Sequence, residues 1–94
     1  MTTIGVLTLE LRIDYSHSLK EKRQVVRSLK DRLRAKFNVA TAEIDGQDSW
    51  QHSVIGVVTL SNNRTHVEQM LQSIEREAAH LLGASLVSAD VELL

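Results

Sequence analysis

The sequence predicts an α+β fold whose elements follow the order βαββαβ. Three observations lead to this class: an alternating apolar segment near the start, two stretches of helical periodicity, and three further strand-like segments placed between and after them. The chain has 94 residues, which is long enough to close one hydrophobic core and too short for two. We therefore expect a single domain spanning residues 1–94.

The first strand and the first helix are predicted from adjacent patterns. Residues 4–14, IGVLTLELRID, alternate apolar and polar side chains as a half-buried strand does. The helix begins at Ser18 or Leu19, because Ser18 and Glu21 have the spacing of a capping box. It ends near Asn38, a residue type that favours the left-handed conformation at a helix end. Its apolar face should pack on the sheet and comprises Leu19, Val25, Val26, Leu29 and Leu33.

A hairpin, a second helix and a final strand complete the order. Residues 38–45 and 50–60 have strand composition, and the polar segment DGQDS between them predicts a turn. Thr65 opens a second capping-box pattern, and Gly83 is a candidate helix C-cap. Residues 86–94 alternate again. Two βαβ units joined by a hairpin are typical of the ferredoxin-like arrangement, a four-stranded antiparallel sheet with two helices on one face.

The composition excludes several classes of protein. Apolar residues make up 43% of the chain, and no apolar run approaches the roughly 20 residues of a membrane-spanning helix. No cysteine is present, so disulfides and thiolate metal sites are excluded. We expect a cytoplasmic protein without a secretory signal, a membrane contact or a cofactor.

The charges are distributed unevenly, and this asymmetry is the strongest functional indication. Eight of the eleven Lys and Arg residues lie between Lys20 and Lys36 with only two acids, a net charge of +6 against −7 for the remainder. Five cations repeat at intervals of three and four residues and predict an RNA-binding stripe that neutralises phosphates: Lys20, Arg23, Arg27, Lys30 and Arg34. The alternative interpretation is a solvated helix face.

Other polar residues are weaker candidates. Lys22 falls among the apolar residues of the first helix, so its ammonium is expected to reach an acidic partner at the sheet edge, with a phosphate ligand as the alternative. Carboxylates and imidazoles cluster in two turns, but without a known metal-ligand spacing: Asp14 and His17, then Glu43, Asp45, Asp48 and His52. No nucleophile has a recognisable base and orienting group beside it. We expect no metal site and no catalysis.

Four segments resemble a known family. GVLTLELRI at residues 5–13, SLKEKR at 18–23, FNVATAEID at 37–45 and QDSWQ at 47–51 are similar to the YlxP-like family of small bacterial proteins of unknown function. The resemblance implies a ferredoxin-like fold. Because genes of this family often lie among translation genes, it also implies a link to RNA or the ribosome. It implies no catalytic residues.

Two functional hypotheses follow from these observations. The first is a non-catalytic RNA- or ribosome-associated binding module that uses the first helix. The second is a homo-oligomeric regulatory domain that binds a small ligand at sheet edges or interfaces. Fold analogy does not separate them.

A homodimer through the sheet face opposite the helices is predicted as well. Branched aliphatic side chains on that face would have no helix to cover them, which is unusual on a monomer. The phase of the third strand is ambiguous, since Val54 and Val58 could take the places of Ile55 and Val57. The expected interface residues are Val6, Thr8, Glu10, Arg12, Val39, Thr41, Ile55 and Val57.

Overall fold

In the computed structural model, which describes residues 1–94, four antiparallel strands form one sheet with both helices on the same side. The strands are β1 (Thr3–Arg12), β2 (Ala40–Asp45), β3 (His52–Ser61) and β4 (Leu86–Leu93). The helices are α1 (Leu19–Lys36) and α2 (Arg64–Leu82), and a 3-10 turn, Gly83–Ser85, leads into β4. The strand order β2-β3-β1-β4 confirms the predicted ferredoxin-like class.

The hydrophobic core lies between the central strands and the two helices. Alternate residues of β1 point toward the helices because side chains of a strand alternate between its faces. These residues meet one apolar stripe from each helix, so burial of that layer drives the fold. The buried apolar residues are Leu7, Leu9, Leu11, Ile13, Val26, Leu29, Leu33, Ile55, Val57, Val67, Leu71, Ile74 and Ala78.

The helix N-termini are capped by side chains. At α1 the predicted cap is confirmed, since the Glu21 N–H donates to Ser18 Oγ at 3.1 Å. At α2 the predicted cap at Thr65 is wrong. Asn63 occupies that position instead, and its Oδ1 accepts the N–H of His66 at 3.1 Å.

The helix C-termini differ from each other. Gly83 has φ +56° and its N–H donates to the Ala79 carbonyl, which confirms the predicted glycine cap of α2. The left-handed conformation predicted for Asn38 is wrong, because no residue other than glycine has positive φ. The α1 helix ends on Phe37 in extended conformation, and the chain continues directly toward β2.

Four of the predicted interface residues lie on the opposite side of the sheet from the one expected. Ile55 and Val57 pair with Leu9 and Leu7, face the helices and are fully buried, so their placement on the open face is wrong. Thr41 pairs with Val57 and faces the same way. By alternation, Val39 also lies on the helix-bearing side, where it packs against the core. The register of β3 against β1 decides which residues of β3 face the helices.

The open face, the side of the sheet without helices, is apolar at one end and polar at the other. Val6, Thr8, Glu10 and Arg12 of β1 lie on it, as expected. Ile4, which pairs with Leu60, and Ile44, whose side chain lies beside Gly56, are also on this face. The pairing partners add further residues without polar side chains from β2 and β3: Ala40, Ala42, Val54, Gly56, Val58 and Leu60. Val58 and Leu60 are 38% and 64% exposed.

We predict that Gly5→Ala destabilises the protein by about 1–3 kcal/mol, because a close approach of β1 to α2 leaves no room for a methyl group. A Cβ at Gly5 would lie 2.6 Å from Val67 Cγ1 and 2.9 Å from Leu71 Cδ1. Urea denaturation measures the change in the free energy of unfolding. Gly56→Ala is the control, since its Cβ would make an ordinary contact of 3.4 Å with Ile44. Equal stabilities of the two variants would contradict the prediction.

Candidate nucleic-acid interface

The α1 helix presents its cations because its core-facing side is fixed by packing. Val26, Leu29 and Leu33 are buried against the sheet and α2, which sets the rotation of the helix about its axis. At 3.6 residues per turn, the predicted stripe then lies on the flank toward β2 and on the outer side of the helix. We call this stripe the cationic surface: Lys20, Arg23, Arg27, Lys30 and Arg34.

Members of the cationic surface differ in how far their charge is already compensated. Lys20, Arg23 and Arg27 are exposed and belong to no ion pair within the chain. Arg34 is paired with Asp31 at 2.6 Å, and Lys30 is half-buried near the Glu43 carboxylate. The N-terminal half of the stripe therefore has the cations available for an anionic partner.

Two shallow depressions lie along the cationic surface. The larger, of about 290 Å³, runs between α1 and the edge of β2 and includes Arg23, Arg27 and Lys30 together with the acids Asp31 and Glu43. The smaller, of about 230 Å³, is lined entirely by polar residues of α1: Lys20, Arg23, Gln24 and Arg27. A phosphate meets unopposed positive charge only at the smaller depression, since no acid lines it.

Two further α1 cations are used inside the protein. Arg32 and Lys36 bind the carboxylate of Glu77 on α2 at 3.2 and 3.0 Å. The hydrogen bond from Lys36, joined by that from Arg32, outweighs partial desolvation and lowers the pKa of Glu77. These two charges bridge α1 and α2, so they count toward the +6 of the first helix but are not part of the cationic surface.

Lys22 has a structural role in the protein, as the first interpretation predicted. Its side chain is fully buried, and its Nζ lies 2.7 Å from Glu43 Oε2. The same ammonium donates to the carbonyls of Gly46 at 2.8 Å and Gln47 at 3.4 Å. All three of its protons are thus satisfied, which leaves none for a phosphate. The bonds tie the β2–β3 turn to α1.

Glu43 completes this buried network from the sheet. Its Oε2 also accepts the hydroxyl of Ser53 at 2.6 Å. Burial disfavours its charged form, but the hydrogen bonds from Lys22 and Ser53 and the positive charge of Lys22 outweigh that effect and lower the pKa of Glu43. The carboxylate is therefore ionised across the neutral range and stabilises the folded state there.

The residues considered for metal binding do not converge. No group of three or more His, Asp or Glu side chains is close enough to hold an ion. Glu43 faces α1, whereas His52 lies on the open face, where its Nε2 is 3.1 Å from Glu10 Oε2. Strand alternation separates the two side chains although they are near in sequence. Neither helix is long and apolar enough to span a membrane.

One concave feature was not anticipated from the sequence. A groove of about 340 Å³ lies between α1 and the C-terminal end of α2, where Val25 faces Leu81 and Leu82. Tyr15, in the turn before α1, stands at one side of it. The only sign of the groove in the sequence is the position of Val25 at the border of the apolar face of α1. A core residue would fit that position equally well.

These elements define a small ferredoxin-like α+β protein whose first helix presents three cations that belong to no ion pair. The chain belongs to the family described as Protein of unknown function (DUF503), whose model matches residues 4–91. It is 39% identical over 71 residues to "Uncharacterized protein YlxP" of Bacillus subtilis (strain 168), covering 76% of this chain and 77% of that protein. The YlxP-like resemblance is thereby confirmed.

Solved structures of low sequence identity share the fold. A dimeric protein of unknown function and ferredoxin-like fold from Bacteroides fragilis superposes with a TM-score of 0.61 at 15% identity, over 98% of this chain and 94% of that one. A dimeric ferredoxin-like protein of unknown function from Thermobifida fusca gives 0.56 at 14% identity, over 99% and 90%. At such identities the similarity establishes the fold alone.

We predict that Glu43→Gln removes part of the acid sensitivity of folding. The pKa of Glu43 is lower in the folded than in the unfolded protein, so its contribution is complete above the unfolded value and is lost as pH falls through the folded one. The stability difference between wild type and variant should therefore be constant near neutral pH and shrink in acid. Urea denaturation over a pH series measures it.

Lys22→Met provides the control for this prediction. In that background the lysine no longer lowers the pKa of Glu43, so a second substitution, Glu43→Gln, should produce a much smaller pH-dependent difference. The same pH-dependent difference in both backgrounds would assign the effect to another group.

Proposed function

We propose that the protein is a non-catalytic RNA-binding module that associates with RNA or the ribosome through the cationic surface of α1. The observation that carries this proposal is the set of three exposed cations without an ion pair, Lys20, Arg23 and Arg27, on successive turns of one rigid helix. Two other cations of α1, Arg32 and Lys36, are paired with Glu77. The same helix therefore carries both cations that are paired within the protein and cations that are free to bind a partner.

The recognition would act mainly on the phosphate backbone. Each cation that neutralises a phosphate releases condensed counterions, which makes the binding favourable and dependent on salt. From Lys20 to Arg34 the stripe extends about 21 Å along the helix axis, a length that spans several successive phosphates. The open face carries no Phe, Tyr or Trp side chain on its strands, so it lacks the usual aromatic platform of RNA-recognition motifs; its one imidazole, His52, contacts Glu10.

The hydrogen bonds of Lys22 assign this lysine to the structure of the protein. The buried ammonium has a carboxylate and two carbonyls as partners, as expected for a structural lysine. On this proposal the protein acts by binding RNA and holding it in position.

We predict that Arg23→Glu/Arg27→Glu lowers the affinity for structured RNA by more than an order of magnitude, because two attractive phosphate contacts become repulsive. The slope of the logarithm of the association constant against log salt concentration is negative, and its magnitude should decrease by about 1.5. Fluorescence anisotropy with a labelled RNA hairpin measures both quantities. Stability should change little, since both side chains are exposed.

Arg64→Glu/Arg76→Glu is the matched control, with the same change in net charge on α2. Arg64 lies beside Glu68 and Arg76 beside Ser73, both on exposed positions away from the cationic surface. Equal losses of affinity in the two double variants would indicate a general charge effect. Wild-type binding by Arg23→Glu/Arg27→Glu would show that the stripe is only a solvated face.

A second candidate function is a homo-oligomeric regulatory domain that dimerises through the open face and binds a small ligand at sheet edges or interfaces. Two proteins of the same fold are described as dimeric, which supports a dimer here. The apolar end of the open face adds a local reason, since Val58 and Leu60 remain exposed without a covering element.

The size and charges of the open face are compatible with a symmetric contact. Four strands about 4.8 Å apart and about eight residues long cover roughly 500 Å² on each partner, so a dimer would bury about 1,000 Å², the lower limit for a specific interface. Arg12, Asp90 and Glu92 lie on this face without ion pairs in the chain and offer opposite charges to a second copy. Glu10 instead contacts His52 and Ser88 within the chain.

We predict that Val58→Asp raises the dissociation constant of the dimer at least about tenfold, because it places an unpaired charge in the apolar contact. Light scattering over a concentration series measures the oligomeric state. The control is Val91→Asp, which is 51% exposed but lies on the helix-bearing side of β4, opposite Leu7. A monomeric wild type, or a dimer unaffected by Val58→Asp, would contradict this proposal.

A further inference from the structure

The groove between α1 and α2 adjoins the cationic surface, and its walls differ in chemistry from that surface. Val25, Leu81 and Leu82 provide apolar walls, Gln24 and Ser28 provide polar groups, and Tyr15 stands at one side. We infer that this groove is the binding site for one unpaired base of the RNA whose phosphates lie along Lys20, Arg23 and Arg27. The inference rests on the proposed RNA binding and adds to it a preference for RNA with an unpaired nucleotide.

Continuity of the two surfaces is the first argument. Gln24 lines both the groove and the smaller basic depression, where Lys20, Arg23 and Arg27 are its neighbours. A strand whose phosphates occupy the basic depression therefore passes the mouth of the groove. Because a base projects from the backbone to one side, it enters the groove without displacing the phosphates from their cations.

The position of Tyr15 on a tied turn beside the groove is the second argument. Its side chain is 61% exposed, so most of the ring is accessible to a ligand. The turn that carries it is fixed on both sides, since the Gln51 side-chain amide donates to the carbonyls of Asp14 at 3.0 Å and Ser16 at 3.2 Å. Ser16 is itself buried. The backbone that carries the ring is thus held beside the groove, and an exposed aromatic ring at that place suits base stacking.

The polar groups at the groove favour a base over a phosphate. Glu21 is among the lining residues, and its carboxylate repels phosphate while it accepts hydrogen bonds from exocyclic amino groups. Gln24 and Ser28 are exposed and supply an amide and a hydroxyl for the edges of a base. The volume of about 340 Å³ is at the small end for organic ligands, as a single base requires.

The test compares a short single-stranded RNA with the same strand in a blunt duplex. Tyr15→Ala removes the stacking ring, and Ser28→Leu fills the groove from an exposed helix position. Each should weaken binding of the single strand about tenfold, the typical contribution of base stacking, and leave binding of the duplex unchanged. Gln72→Leu, on an exposed position of α2 outside the groove, is the matched control and should bind both RNAs like the wild type.

A second readout locates the base directly. The methyl resonances of Val25, Leu81 and Leu82 should shift in NMR spectra when the single strand is added, because an aromatic base placed against them changes their ring-current environment. The duplex should leave them in place. Methyl shifts without an effect of Ser28→Leu on affinity would overturn the inference, since the base would then contribute nothing to binding.

The outcomes separate this inference from the proposed function. If Arg23→Glu/Arg27→Glu loses RNA binding while Tyr15→Ala and Ser28→Leu bind the single strand like wild type, the base site is wrong and backbone binding stands. If no variant changes RNA binding, both are wrong. A change of oligomeric state in Ser28→Leu with unchanged RNA affinity would assign the groove to a second copy of the chain and overturn the inference.

Discussion

The buried ammonium of Lys22 is the interaction on which the arrangement of α1 and the hairpin depends. A charge removed from water must have anionic and carbonyl partners, and here Glu43, Gly46 and Gln47 provide them. These partners come from β2 and the turn after it, so the ammonium fixes the helix against the sheet edge at one place. The direction of the cationic surface relative to β2 follows from that contact together with the apolar packing of α1.

The order and type of the four strands and both α-helices could be predicted because local patterns determine them, whereas the 3-10 turn at Gly83–Ser85 was not predicted. Alternation in β1, helical periodicity in α1 and α2, and turn residues between β2 and β3 each depend on neighbours in sequence. The phase of β3 could not be predicted. Val54, Ile55, Val57 and Val58 are all apolar and branched, and only the long-range register with β1 decides which of them face the helices.

The candidate site could be predicted only in part, because it too depends on contacts between residues that are far apart in the sequence. Spacing along α1 identifies which cations share a stripe, but Glu77 and Asp31 decide which charges remain available, and Glu77 lies 41 residues beyond Lys36. The groove beside Tyr15 depends on how closely two helices approach each other, which neither helix encodes alone. Asn63 and Thr65 are both good capping residues, so the sequence alone does not decide which of them caps α2; in the structure it is Asn63.

The sheet order has a consequence for folding kinetics. The first strand of the chain is central and pairs with β3 and with β4, the last strand, so its hydrogen bonds join residues far apart in sequence. Such non-local pairing requires loop closure before it contributes stability, and it slows folding relative to a helical bundle of this size. The backbone hydrogen bonds within each helix, by contrast, are local and can form within microseconds. During synthesis one edge of β1 therefore stays unpaired until residues 86–93 have been made, although every fully buried apolar residue precedes β4.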